Sequence, residues 1–300
     1  MSDVVRELAP DVSTVIGGIS WERRTLDPLA GPRAICELQG AEVVDRCAAL
    51  ASPRTVGPGN LVLSESRMSA FLKGERVALI DPGEGPLMAA TGIIAVAHQT
   101  GCDAVILVDV GGDVLAQGQE VNLVSPLADA VMLATSPWLE RAGLNVTAAI
   151  FGIGCDGELS PQVAREHISE VETLQGSCHA FTLRPERLPM LEQAASAVGS
   201  GTTALALRCA RGQSGKIAIN DGRQSALLTA AGAEIHLLEA MVAVSSVARL
   251  ARIVVDAPSI EDAHRCLVDL GVKTTGLGYP GTTWTAPGGR RRARAGASRP

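Results

Sequence analysis

Residues 104–110 read Ala-Val-Ile-Leu-Val-Asp-Val, six apolar residues in seven, followed at once by Gly111-Gly112. A run this short is not a helix, and one this continuously apolar has no wet face. It must be covered on both sides, as strands of a parallel sheet clothed by helices are. Similar runs stand at residues 12–19, 77–80 and 147–152. Helical stretches are expected between and after them at residues 87–98, 126–141 and 161–175. Two of these begin with Ser-Pro, at Ser125-Pro126 and Ser160-Pro161. There the serine is expected to accept a backbone N–H as N-cap, with proline in the first helical turn. The spacing predicts an α/β fold: an open, mostly parallel sheet with helices on both faces.

Segment 34–52 is ambiguous, with residues 42–50 a candidate edge strand. After residue 183 the character changes. Helices are expected at 185–198 and 202–211, then a hairpin of residues 216–220 and 223–229 turned by Asn220-Asp-Gly222. A strand, a helix, a second strand near residues 253–255 and a helix at 260–270 complete a small α+β lobe. The expected organisation is an α/β core in residues 1–212, a lobe closing it in 213–275, and a disordered Arg-rich tail in 276–300.

Composition excludes several classes. At 46% hydrophobic and 19% charged, the chain can bury a sizeable core. The formal charge of −6 conceals a division. The last 13 residues carry five Arg and no acid, leaving 21 basic against 32 acidic groups, net −11, in residues 1–287. Seven aromatics on an acidic body do not make a nucleic-acid surface. The seven cysteines form no C-x-x-C pair, which suits reduced thiols. Residues 1–10 already carry Asp3 and Glu7, so no secretory leader is expected, and no stretch is long and apolar enough for a membrane. A cytoplasmic protein is expected.

In open α/β sheets ligands sit beyond the carboxyl ends of the strands. Two successive strand ends here are acidic: Val108-Asp-Val-Gly-Gly-Asp113, and Phe151-Gly-Ile-Gly-Cys-Asp-Gly-Glu158. Adjacent strands would bring Asp109, Asp113, Asp156 and Glu158 to one rim, with Glu120 and Asp129 nearby. Such a cluster can hold a hard divalent cation, recognise an amine or guanidinium, or supply a general base. Asp and Gly also make ordinary turns and caps. Like charges converging on one rim carry a cost that ordinary turns avoid.

Gly152-x-Gly154-x-x-Gly157 has dinucleotide-fingerprint spacing, but Asp156 and Glu158 would set carboxylates against the phosphates and Pro161 removes a donor. Gly199-Ser-Gly-Thr-Thr203 lacks the P-loop lysine and spacing. The five histidines show no ligand spacing. Trp21-Glu22-Arg23, after Gly17-Gly18, is either a pocket wall with an anion hook or an amphipathic cover for the sheet edge.

Several stretches together resemble a known family: Trp21-Glu-Arg23 with Asp27-Pro28 and Gly31-Pro-Arg33, Val108-Asp-Val-Gly-Gly-Asp-Val-Leu-Ala116, Ser125-Pro-Leu-Ala-Asp-Ala130, Gly154-Cys-Asp-Gly-Glu-Leu-Ser-Pro161 and Ala204-Leu-Ala-Leu-Arg-Cys-Ala-Arg-Gly212. The chain is similar to the domain-of-unknown-function family 1152 of archaea and actinobacteria, over residues 17–272. The resemblance implies no activity. It does imply an opening strand and a Gly-Gly-Gly-Asp loop, of which residues 1–5 would be a remnant, through a misplaced start or a lost loop.

The expectation is a cytosolic small-molecule enzyme performing metal-assisted transfer or hydrolysis at the acidic rim. Asp109, Asp113, Asp156 and Glu158 are the candidate catalytic carboxylates, with Mg2+ or another divalent cation on Asp113 and Asp156. Asp129 would orient the site. Trp21, Glu22, Arg23, Gly111, Gly112, Glu120 and Gly154 are candidate contacts to a cationic or phosphorylated ligand, Arg23 to an anionic group. Homo-oligomerisation is compatible with this. The alternatives are a non-catalytic small-molecule-binding or regulatory domain and, from residues 288–300 alone, a basic-tail adaptor.

Overall fold

A computed structural model describes residues 11–23, 26–29, 31–174, 176 and 178–274, with positions 5, 9 and 277. The Arg-rich tail lies outside the described residues, as does most of the segment before residue 11.

The strands form two four-stranded sheets and two small pairs. In the first sheet, β1 (Gly17–Ile19), β2 (Glu42–Asp45), β3 (Ala48–Ala51) and β6 (Val77–Ile80) lie in the order β1-β6-β3-β2. β4 (Val56–Gly57) and β5 (Leu61–Val62) pair beside it. The second sheet holds β7 (Ala104–Val110), β8 (Asn145–Phe151), β9 (Cys178–Thr182) and β12 (Glu234–Glu239), in the order β7-β8-β12-β9. The hairpin β10 (Gly215–Ile219) and β11 (Gln224–Leu228) is separate and turns through residues 220–222.

The helices are α1 (Ser64–Phe71), α2 (Gly85–Thr100), α3 (Leu127–Leu133), α4 (Ser136–Arg141), α5 (Pro161–Thr173), α6 (Leu188–Val198), α7 (Gly201–Ala210), α8 (Ala240–Ser245), α9 (Arg249–Val254) and α10 (Ile260–Asp269).

The fold is mixed α/β, but the expected single, mostly parallel sheet is corrected. Among the described residues, β1–β6 and β7–β8 are the parallel pairs and every other ladder is antiparallel. The expected edge strand at 42–50 is a hairpin, which adds two antiparallel ladders to the first sheet. β12 runs antiparallel between β8 and β9. It is an inner strand of the second sheet, and α8 to α10 share a core with both sheets: Leu50 and Ile80, Val146 and Ile150, and Leu250, Ile260 and Leu267 belong to one buried cluster.

Local physics explains the smaller differences. Residues 77–80 and 104–110 are strands as expected, whereas only 17–19 of 12–19 are. Residues 253–255, β-branched enough to suggest a strand, finish or follow α9, where packing against α3 outweighs propensity. Residues 126–141 split into α3 and α4. Ser160 caps α5 as expected, its Oγ accepting the Val163 N–H at 3.2 Å with Pro161 in the first turn. Ser125 does not cap α3: Pro126 takes the N-cap position, and the Ser125 hydroxyl donates to Glu158 instead. Among the described residues no helix is long and apolar enough to cross a membrane.

Candidate metal centre

The site forms where β7 and β8 end side by side in parallel register, Asp109 opposite Ile150. Gly111 and Gly112 adopt φ of 143° and 107°, values that L side chains rarely adopt. Their turn is fixed at both ends. The Gly111 N–H donates to the Phe151 carbonyl at 2.9 Å, and the Gly112 N–H donates to Asp109 Oδ2 at 2.9 Å. A Cβ on Gly111 would stand 2.2 Å from Asp156 Oδ2, so glycine is required for the two loops to meet. The chain then enters a single 3-10 turn at Asp113–Leu115.

Three carboxylates converge there. One oxygen each from Asp109, Asp113 and Asp129 lie within 4.8 Å of one another. Asp109 and Asp113 are 7% and 6% exposed and Asp129, in the first turn of α3, is half-buried. The expected pair was Asp113 and Asp156; the group that converges is Asp109, Asp113 and Asp129, the last named above as an orienting residue, with Asp156 against the same loop. The three oxygens fit one hard cation, since opposite ligands at about 2.3 Å are separated by about 4.6 Å. Asp109, Asp113 and Asp129 could therefore hold a metal ion.

The electrostatics are one-sided. Burial, then Asp156, pushes the Asp109 carboxyl up to about 7. Burial, followed by Asp129, Asp109 and Asp156, holds Asp113 well above the ordinary carboxylate range. Burial, then Asp109 and Glu158, raises Asp129 to about 8. Asp156 rises to about 7 through burial and Glu158. Among the described residues no ion pair involves any of the four, and no donor bonds the Asp113 carboxylate. The Asp156 Oδ2 is likewise buried without a hydrogen-bond partner.

The other expected residues divide. Glu158 is buried but fully engaged: it accepts the Val124 and Ser125 N–H groups at 2.8 and 2.9 Å and the Ser125 hydroxyl. It ties the loop before α3 to the loop after β8. Glu120 accepts the Gln117 and Gly118 N–H groups at 2.7 and 2.8 Å within its own loop. Gly154 donates its N–H to the Gly111 carbonyl at 2.8 Å and so pins the two glycine loops together. Trp21 packs on the main core, Glu22 is buried and accepts the Ser64 N–H at the start of α1, and Arg23 reaches toward Gly201 at the start of α7. These three positions follow β1.

Several backbone donors of the dinucleotide-like loop are already engaged. Besides Gly154, the Cys155 and Gly157 N–H groups go to the Gly152 and Gly154 carbonyls, and that of Glu158 goes to Asp156 Oδ1 at 3.0 Å. A phosphate cradle needs those N–H groups free. Six cysteines with described side chains are free thiols.

Two buried acids escaped the sequence reading. Asp81, which follows β6, is 5% exposed, accepts the Gly83 N–H at 2.8 Å, and is pushed up to about 6 by burial and then Glu84. Its signal was legible: Asp81-Pro-Gly-Glu-Gly-Pro86 is a third acidic, glycine-rich strand end before a helix. Glu65 is pushed up to about 8 by burial and then Glu22, its carboxyl set against Gly18. No pattern in the sequence marks it.

Fold and site together define a mixed α/β protein with a carboxylate cluster at the carboxyl ends of two adjacent parallel strands. The family model described as protein of unknown function (DUF1152) matches residues 2–275, and the chain belongs to that family. Comparison with curated proteins and with solved structures gave no match.

Proposed function

We propose that the protein is a divalent-cation-dependent enzyme of small-molecule metabolism, carrying out transfer or hydrolysis at the rim of β7 and β8. The observation that carries this is the convergence of Asp109, Asp113 and Asp129 within 4.8 Å without a basic partner among the described residues. Three like charges share a desolvated corner at a cost that a hard cation reverses. A cation there would polarise a substrate oxygen or lower the pKa of a bound water. Magnesium, manganese and calcium all suit an all-oxygen site. Asp156, outside the triad but against its loop, is placed to accept a proton, and its free Oδ2 has no competing donor. Glu158 and Gly154 hold the two loops in register.

Thermal melts with magnesium, manganese or calcium test the centre. The expected outcome is a metal-dependent rise in Tm for the native chain that Asp113→Asn and Asp129→Asn each abolish. No rise with any of the three would sink the proposal. Metal-dependent consumption of a metabolite from a fractionated cell extract, lost in Asp156→Asn, is the expected sign of an enzyme.

A further inference from the structure

Two thiols meet in the smaller core beside the site. Cys155 Sγ and Cys209 Sγ lie 3.8 Å apart, and both residues are buried. Cys155 stands in the loop after β8, immediately before Asp156, and Cys209 in the last turn of α7. The space around them is apolar, with Ala206, Ala226 and Leu228 in the same cluster. A glycine closes it. A Cβ on Gly232, in the turn at residues 230–233, would stand 2.6 Å from Cys209 Sγ and 3.1 Å from Cys155 Sγ. Among the described residues this is the one contact between two cysteine sulfurs.

These surroundings narrow what the pair can do. A cysteine nucleophile needs an electropositive neighbour to hold it as thiolate. Cys155 has none: burial, then Cys209, holds its thiol above the ordinary value, and Asp156 acts in the same direction. A soft metal ion needs more than two ligands. Among the described residues, the group of metal-ligating side chains close enough to hold an ion is the aspartate triad, which contains neither cysteine. What remains for two thiols in contact is to be joined. A disulfide holds its sulfurs about 2.05 Å apart, so the two must close by about 1.8 Å. Side-chain rotation has to supply that closure, because the two elements already touch: a Cβ on Gly152 would stand 2.9 Å from Ala206 Cβ on α7.

We propose that Cys155 and Cys209 form a dithiol site that hydrogen peroxide oxidises to a disulfide, tying α7 to the loop that carries Asp156. One sulfur attacks a peroxide oxygen; the O–O bond breaks, leaving a sulfenic acid and a water. The second sulfur then attacks the first, the S–O bond breaks, the S–S bond forms and a second water leaves. Two electrons pass from the thiols to the peroxide, and both S–H protons end in water. The first step is slow, because both thiols are covered. The second is fast, because the attacking sulfur is already in contact with its target. A small oxidant suits a site walled by Ala206, Ala226 and Gly232, where a bulky disulfide finds no room. The bond closes the chain from residue 155 to residue 209, which restrains the unfolded state and makes the oxidised form the more stable one. Nothing in this reading depends on a metal at the triad.

The test is peptide mapping of the full chain after overnight exposure to excess hydrogen peroxide, with remaining thiols blocked in denaturant before digestion. The expected product is one linked pair of peptides, carrying Cys155 and Cys209 and lighter by two hydrogens than the two apart. Tm is expected to rise by roughly 5 °C, and dithiothreitol to reverse both changes. Cys155→Ala and Cys209→Ala, in a site already lined by alanine, are each expected to lose the rise. Cys36→Ser, at an exposed thiol, is expected to keep it. Cys155 and Cys209 still free once Cys36 is fully oxidised would overturn the proposal. So would links from either to another cysteine, or a linked pair that leaves Tm unchanged or lowers it.

Discussion

Two sets of buried carboxylates in this protein differ in what surrounds them. Asp27 is buried with Arg33, whose Nε lies 2.8 Å from Asp27 Oδ2, and Glu158 is buried with two N–H groups and a hydroxyl. Asp109, Asp113 and Asp129 are surrounded chiefly by one another and by Asp156. The first set holds loops together. The second holds charge in suspension, and burial alone does not distinguish them; the supply of donors does.

The largest expected effect concerns pH. In the unfolded chain these carboxyls release their protons near ~4. In the folded chain Asp109 and Asp156 keep theirs to about 7 and Asp129 to about 8. The folded state therefore binds more protons in between, and stability falls as pH rises. Without metal, urea midpoints should be highest below about pH 4 for this contribution and decline through about pH 8, and saturating manganese should flatten that decline. A metal-free midpoint that climbs between those values would erase the contrast between the two sets. Glu65, also raised to about 8 but set against Gly18, gives an internal control. Glu65→Gln should remove part of the slope with or without metal.

Next in size is Arg33→Met. Removing one partner of a buried ion pair leaves an uncompensated charge and should cost about 3–5 kcal/mol in urea unfolding. A loss below 1 kcal/mol would mean that Asp27 is no better compensated than the triad. Glu158→Ala should cost about 1–3 kcal/mol through the orphaned Val124 and Ser125 N–H groups. It should also weaken the metal-dependent Tm rise without abolishing it, because Glu158 positions the loop before α3. Complete loss would move Glu158 from strap to ligand. The smallest is Ser160→Ala, which removes the N-cap of α5 for about 1 kcal/mol, against a negligible helix-capping effect from Ser125→Ala measured in a Glu158→Ala background.

Much of the site was legible because its parts are local. The apolar run of β7, the Gly-Gly turn that must follow it, and the acids spaced around both are properties of seven to ten consecutive residues. The Ser160-Pro161 start of α5 is another. Asp129 was named from the sequence, but its closeness to Asp113 depends on where α3 docks. The identical signal at Ser125-Pro126 failed because Glu158, 33 residues away, competes for the Ser125 hydroxyl. Glu22, expected as a ligand contact, accepts the Ser64 N–H at the start of α1, a contact across 42 residues that no spacing announces.

The sequence by itself marked residues 77–80 and 104–110 as strands, showed where the chain must turn through glycine, and set acidic groups on two successive turns. Those follow from side-chain volume, backbone freedom and local charge. Only the tertiary structure decided that the strands belong to two sheets rather than one, because ladder partners such as β12 are chosen by long-range packing. It alone separated the carboxylates met by an arginine or by three donors from those crowded chiefly by other carboxylates, among which Asp109 accepts a single N–H, from Gly112. The difference depends on which groups arrive within a few ångströms through folding.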